Sequence, residues 1–164
     1  MKRALTLAVT LGLILAPAAY AQATCSEIVR INSEALEDFD AIAGEEIEGD
    51  LYEASVWLSG AGDCNIDYEF DSIYSCLYQF ESYDSAAAAL NANLAAVGSC
   101  LAGWTSTSVT PDSEAKEGYR TLSGTLHAGT GDYEDMEWAV ILEEHTGTHG
   151  TDYHVWVQLA YYWF

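Results

Sequence analysis

The 164 residues are half hydrophobic, with five Trp and eleven Tyr, and 26 acidic side chains against five basic ones set the formal charge at −21. That much apolar surface offsets chain entropy and excludes a disordered chain, and the length suits one domain. The charge repels nucleic acid and anionic lipid and argues against phosphate-bearing substrates; it suits a basic partner or a salty medium.

Lys2 and Arg3 open the chain ahead of an almost wholly apolar stretch, residues 4–16, followed by Pro17 and the small-residue site Ala19-Tyr20-Ala21. This is the order of a secretory signal peptide over residues 1–21, cleaved near Ala21, with a single disulfide-stapled domain over 22–164. The apolar run is too short to span a bilayer comfortably, and Thr24 is the wrong neighbour for lipid attachment at Cys25. The expectation is a periplasmic or secreted protein with no stable membrane insertion. Without its signal the chain keeps 26 acids against Arg30, Lys116 and Arg120, a charge of −23.

Thr24 followed by Glu27 predicts a capping box, and Ile28, Ile31, Ala35, Phe39 and Ile42 follow at helical spacing up to Gly44. "EEIEGD" is read as an acidic turn into the strand "LYEASVWL", in which Tyr52, Ala54, Val56 and Leu58 share a face. A hairpin follows over residues 62–80. There Asp63, Asn65 and Asp67 alternate with Cys64, Ile66 and Tyr68, and Tyr74, Cys76, Tyr78 and Phe80 line one face of the returning strand. A turn at residues 69–71 sets Cys64 opposite Cys76 and Ile66 opposite Tyr74, whereas a one-residue slip would send the two thiols to opposite faces.

Asp63, Asn65, Asp67 and Asp71 also fit positions 1, 3, 5 and 9 of a calcium loop, but its sixth and twelfth positions hold Tyr68 and Tyr74 where Gly and a bidentate Glu are required. The wet side of a strand accounts for the same acids.

Asp84 is the expected cap of a second helix, with Leu90, Leu94, Val97 and Leu101 as its stripe and Gly103 after it. From Trp104 onward "WTSTSVT", "YRTLSGTLHA", "MEWAVILEEH" and "YHVWVQLAYYWF" read as strands. Cys25 and Cys100, left over by the Cys64–Cys76 pairing, would clamp two helices at one end of the fold. The expected architecture is α+β: an antiparallel sheet of about six or seven strands with two helices packed on one face, in the order α-β-β-β-α-β-β-β-β.

Two constellations carry functional expectations. In "EEHTGTHGTDYH" the residues His145, His149, His154 and Asp152, with Glu143 and Glu144 beside them, gather imidazoles and carboxylates around a turn, a set suited to zinc or copper. The spacing lacks the H-E-x-x-H pattern. Aromatic residues of the last strands, Trp138, Trp156 and Tyr162, are candidate partner anchors. The last strand resembles the closing strand of an outer-membrane barrel, but two helices and two disulfides argue against one.

No G-x-S-x-G elbow occurs, and Gly-x-Gly at 60–62 and 129–131 lacks the phosphate-binding context. The leading expectation is therefore a non-catalytic protein-binding module with no required cofactor, of the inhibitor, immunity or chaperone kind, that takes a basic partner surface. The alternative is a periplasmic metal-binding protein using the histidine cluster, and the third reading is a hydrolase with paired carboxylates.

Overall fold

The computed structural model describes residues 22–69, 71–111, 119–128, 131, 135–148 and 150–161; the expected signal peptide, His149 and Tyr162 lie outside them. Thr24 caps the first helix, α1 (Cys25–Glu34), as a capping box: its hydroxyl accepts from the Glu27 amide and the Glu27 carboxylate accepts from the Thr24 amide at 2.9 Å. The helix does not run on to Gly44. After Glu34 a single 3₁₀ turn, Ala35–Glu37, leads into Asp38 and Phe39, both with positive φ (53° and 61°). This reversal returns Phe39 and Ile42 to the interior at 0% exposure, with Phe39 6.1 Å from the Tyr74 ring. Their burial offsets the strain of a bulky residue in the left-handed region.

The expected acidic turn is instead part of a strand. β1 (Ala43–Glu48) pairs with β2 (Leu51–Ala54) at the sheet edge, bulged twice and exposed along nearly its whole length. Its glutamates protect the edge from pairing with another chain. Gly44 is required there, because a Cβ would lie 2.7 Å from the Glu53 carbonyl oxygen.

β3 (Asp63–Asp67) and β4 (Ser72–Phe80) form the expected hairpin in the expected register, Cys64 opposite Cys76 and Ile66 opposite Tyr74. Both disulfides form, Cys64–Cys76 within this hairpin and Cys25–Cys100 between the two helices. With no free cysteine left, the fold belongs to an oxidising compartment.

Ser82, not Asp84, caps α2 (Tyr83–Cys100); Asp84 stands in the first turn, where its charge complements the helix dipole. β5 (Trp104–Ser106) and β6 (Thr110–Pro111) divide the single strand expected there, and β7 (Tyr119–Ala128), β8 (Met136–Gly147) and β9 (Gly150–Tyr161) follow. All are joined in one nine-stranded antiparallel sheet of order β1-β2-β3-β4-β9-β8-β7-β5, with β6 on β7. The sheet is larger than the six or seven strands expected because of the acidic edge strand and this division.

The helices pack on one face. Leu94 of α2 presses on Gly124 of β7, where a Cβ would come within 2.6 Å of its Cδ1, and Asn32 of α1 meets Trp138 of β8. Beneath them Tyr74, Trp138, Val140, Val155 and Val157 are almost wholly shielded from solvent. Among the described residues no helix is long and apolar enough to cross a membrane.

Candidate functional site

Strand parity sends every second side chain to the face opposite the helices. On β8 these are Glu137, Ala139, Ile141, Glu143 and His145, and on β9 Asp152, His154, Trp156 and Gln158. Cross-strand register lines them up in rows. Asp63, Leu77, Trp156, Ile141 and Ser123 form one row across five strands, and Gln79, His154, Glu143 and Thr121 form the next. Leu77, Trp156 and Ile141 are half-buried and make an apolar strip; Ile73 and Ala160 lie two rows away on the same face, with the polar Asn65, Ser75 and Gln158 between. Gln158 donates to the Ser75 hydroxyl at 3.1 Å in the row behind the strip, which holds the strip on a fixed floor.

Acids stand at the margin of this strip. Asp63, Asp67 and Glu53 share its face on β3 and β2, and Glu137 and Glu143 share it on β8. Asp63 and Asp67 are separated by about 13 Å of strand, so they present a line of charge and not a common centre for calcium. Among the described side chains no Lys or Arg stands on this face.

At the end of the strip three donors come together. Glu143 and His145 are two apart on β8, and His154 is the partner of Glu143 on β9. Glu143 Oε2 lies 3.1 Å from His145 Nε2, the two imidazole rings are 4.7 Å apart, and one ligand atom from each of the three residues falls within 4.8 Å of the others. Trp156 Nε1–H donates to the same Glu143 Oε2 at 2.9 Å, which fixes the carboxylate. The group is half-buried, with 24% of the Glu143 side chain and 31% of His145 exposed. His154 also borders an open groove of about 420 Å³ with Gln79, Phe80, Glu81, Asp152 and Tyr153.

The sequence-derived metal set is thus partly assembled. His145 and His154 meet; Asp152 is paired in register with His145 but stays outside the compact group, and Glu143 takes the third place. Glu144 pairs with Tyr153 and by parity faces the helix side.

Of the expected anchors, Trp156 lies at the centre of the open face, but Trp138 does not belong there. It is 0% exposed and donates its indole N–H to Asn32 Oδ1 at 2.9 Å, so it is a core residue. Even-numbered positions of β8 face the helices, and β8 is apolar on both sides, which hides that choice from the sequence. Leu77 and Ile141, which flank Trp156, were not singled out, because only the pairing of β4 with β9 and β8 places them there.

Glu27 shows how another carboxylate on the chain is used. Burial pushes its pKa up, but hydrogen bonds from the Ser59 hydroxyl and from the Thr24 and Ser59 amides outweigh this and hold it below the ordinary value. It ties α1 to the loop after β2. No family model, no curated protein and no solved structure matches the chain.

Proposed function

We propose that the protein is an exported, non-catalytic binding module whose open sheet face takes the basic surface of another protein, in the manner of an inhibitor, an immunity protein or a chaperone. The observation that carries this reading is the row Asp63–Leu77–Trp156–Ile141: apolar side chains in line across the sheet, with carboxylates at their margin. Covering such a strip gains about 25 cal/mol for each Å² of apolar surface removed from water, and an aromatic centre with a charged rim is the usual layout of a contact patch. The carboxylates steer a basic partner to that patch and repel an acidic one.

Charge also selects the occupant. Two copies of a chain at −21, or −23 once residues 1–21 are removed, would bring like charge to like across this face, so a basic protein fits better than a second copy. Export through the predicted signal peptide, to the periplasm or beyond the cell, belongs to the same reading and is supported by the two disulfides.

The test uses wild type and a Leu77→Thr/Trp156→Thr double variant as immobilised baits for the exported proteins of the source cell, because Thr suits a strand and removes the apolar strip. Wild type is expected to retain one or a few proteins of high pI that the variant loses and that roughly 0.5 M salt releases, as screening predicts. Identical retention on both baits, retention of acidic proteins, or a dimer of wild type in sedimentation would each overturn the proposal.

A further inference from the structure

We propose that Glu143, His145 and His154 form a binding site for a divalent late transition-metal ion, zinc or copper, at the end of the open face. The argument begins with the backbone. β8 and β9 are twelve residues each and pair without a break from Met136–Tyr161 to Gly147–Gly150, so the three Cα positions are set by the two central strands and not by a loop. Positions 143 and 145 share a face by strand period, and position 154 is set beside 143 by register.

The donor geometry is close to what such an ion requires. Nitrogen and carboxylate ligands bind zinc at about 2.0–2.2 Å, which puts tetrahedral donors about 3.3–3.5 Å apart. Glu143 Oε2 and His145 Nε2 are already 3.1 Å apart, and the widest separation in the group is within 4.8 Å. Closing that gap needs a side-chain rotation of roughly 1 Å and no movement of the strands, since side chains turn among rotamers far more readily than a paired ladder shifts.

The chemistry of the set points to the class of ion. Two imidazoles and one carboxylate make a borderline donor set suited to zinc and copper, whereas calcium and magnesium want six or more oxygens. Trp156 supplies the outer contact that such sites use to orient a ligand, its N–H held on Glu143 Oε2 at 2.9 Å. Entry is through the groove beside His154, and Asp152, paired with His145 in register, stands at its mouth, where it or a water would complete the coordination. The acidic field of the chain raises the local cation concentration at that mouth.

A Glu–His hydrogen bond on a strand needs no ion, and the experiment separates the two cases. Zn²⁺ and Cu²⁺ are titrated by calorimetry into the oxidised, chelator-treated protein, alongside His154→Ala, His145→Ala, Trp156→Phe and, as a control, His127→Ala on β7, where His127 Nε2 lies 3.0 Å from Glu137 Oε2 and outside the group, with far-ultraviolet circular dichroism to confirm folding of each. Wild type is expected to bind one ion with a Kd of about 10 μM or tighter, Cu²⁺ ahead of Zn²⁺ in the usual order of divalent ions. His154→Ala and His145→Ala each weaken binding tenfold or more, Trp156→Phe weakens it by roughly tenfold through the lost outer contact, and His127→Ala leaves it unchanged. The Cu²⁺ form is expected to show nitrogen hyperfine splitting from two imidazoles in electron paramagnetic resonance. Binding no tighter than about millimolar, or binding that survives both histidine substitutions in folded protein, overturns the site. Because metal alone is the probe, this result stands apart from the fate of the protein-binding proposal.

Discussion

Two tryptophans divide the sheet between them. Trp138 and Trp156 sit on neighbouring strands, and each donates its indole N–H to a side-chain oxygen at 2.9 Å. Trp138 is sealed under the helices with Asn32 as partner, whereas Trp156 is half-buried on the uncovered side with Glu143 as partner. The chemical motif is the same, and only the layer above it differs. Aromatic content in β8 and β9 thus serves stability on one side and, under the proposed function, leaves surface for recognition on the other.

The largest expected effect breaks that comparison most directly. Trp138→Ala should lower the unfolding free energy by about 3–5 kcal/mol, through a cavity and an orphaned Asn32 amide oxygen, whereas Trp156→Thr, which removes a half-buried ring, should cost about 2 kcal/mol or less. Urea denaturation of both variants measures the difference. Equal losses would mean that the open face is itself part of a covered core.

A smaller effect concerns how the helix layer is tied down. Glu27 accepts from Thr24 N, Ser59 N and Ser59 Oγ, and these bonds hold its folded pKa below the ordinary carboxylate value despite the desolvation that pushes it up. A carboxylate with a lower pKa folded than unfolded contributes stability above the unfolded value and loses it as pH falls through the folded one. Glu27→Gln should therefore cost on the order of 1 kcal/mol, the usual worth of a helix cap, at pH 6–7, and the gap to wild type should narrow below about pH 4.5. Urea midpoints across pH 3–7 for the pair read this out, and a gap independent of pH would show that the charge of Glu27 is not what matters.

Legibility in the sequence follows the same division. The hairpin from Asp63 to Phe80 was readable because β3 alternates strictly, with acids and Asn65 on one side and Cys64 and Ile66 on the other, and one register brings both cysteines together. The end of α1 was not, because Phe39 and Ile42 owe their helical spacing to a chain reversal that happens to return both to the core. β1 had no apolar alternation to read, being an exposed edge of glutamates. Trp138 was placed on the wrong side because β8 is apolar at odd and even positions alike, and parity tells which residues share a face but not which face the helices cover. At the site, the approach of His145 to His154 was implicit in a short hairpin turn, whereas the Leu77–Trp156–Ile141 strip required β4 to pair with a strand some eighty residues later, as the Gln158–Ser75 contact records with a separation of 83.

The smallest expected effect lies where the covered side departs from its own rule. Tyr74 and Tyr78 donate their hydroxyls to the Val56 and Ser59 carbonyls, and Trp138 has Asn32, but the buried Tyr68 hydroxyl has no hydrogen-bond partner among the described residues. Burial, with Asp40 and Asp38 adding to it, pushes its pKa up to about 12. Its ring still makes an edge contact with Tyr52, at 5.5 Å between centroids. Tyr68→Phe keeps that ring and removes only the unsatisfied oxygen, so at pH 7 stability should be unchanged or rise by up to about 1 kcal/mol. A group whose folded pKa is raised holds its full contribution below the unfolded value and loses it as pH climbs toward the folded one, so the advantage of Phe over Tyr should grow between pH 10 and 12. Thermal unfolding at pH 7 and at pH 10.5 measures both limbs. A loss above about 1 kcal/mol on removal of the hydroxyl would mean that the oxygen is bonded in the native protein, to water or to another part of the chain, and that Tyr68 follows the rule of Tyr74 and Tyr78.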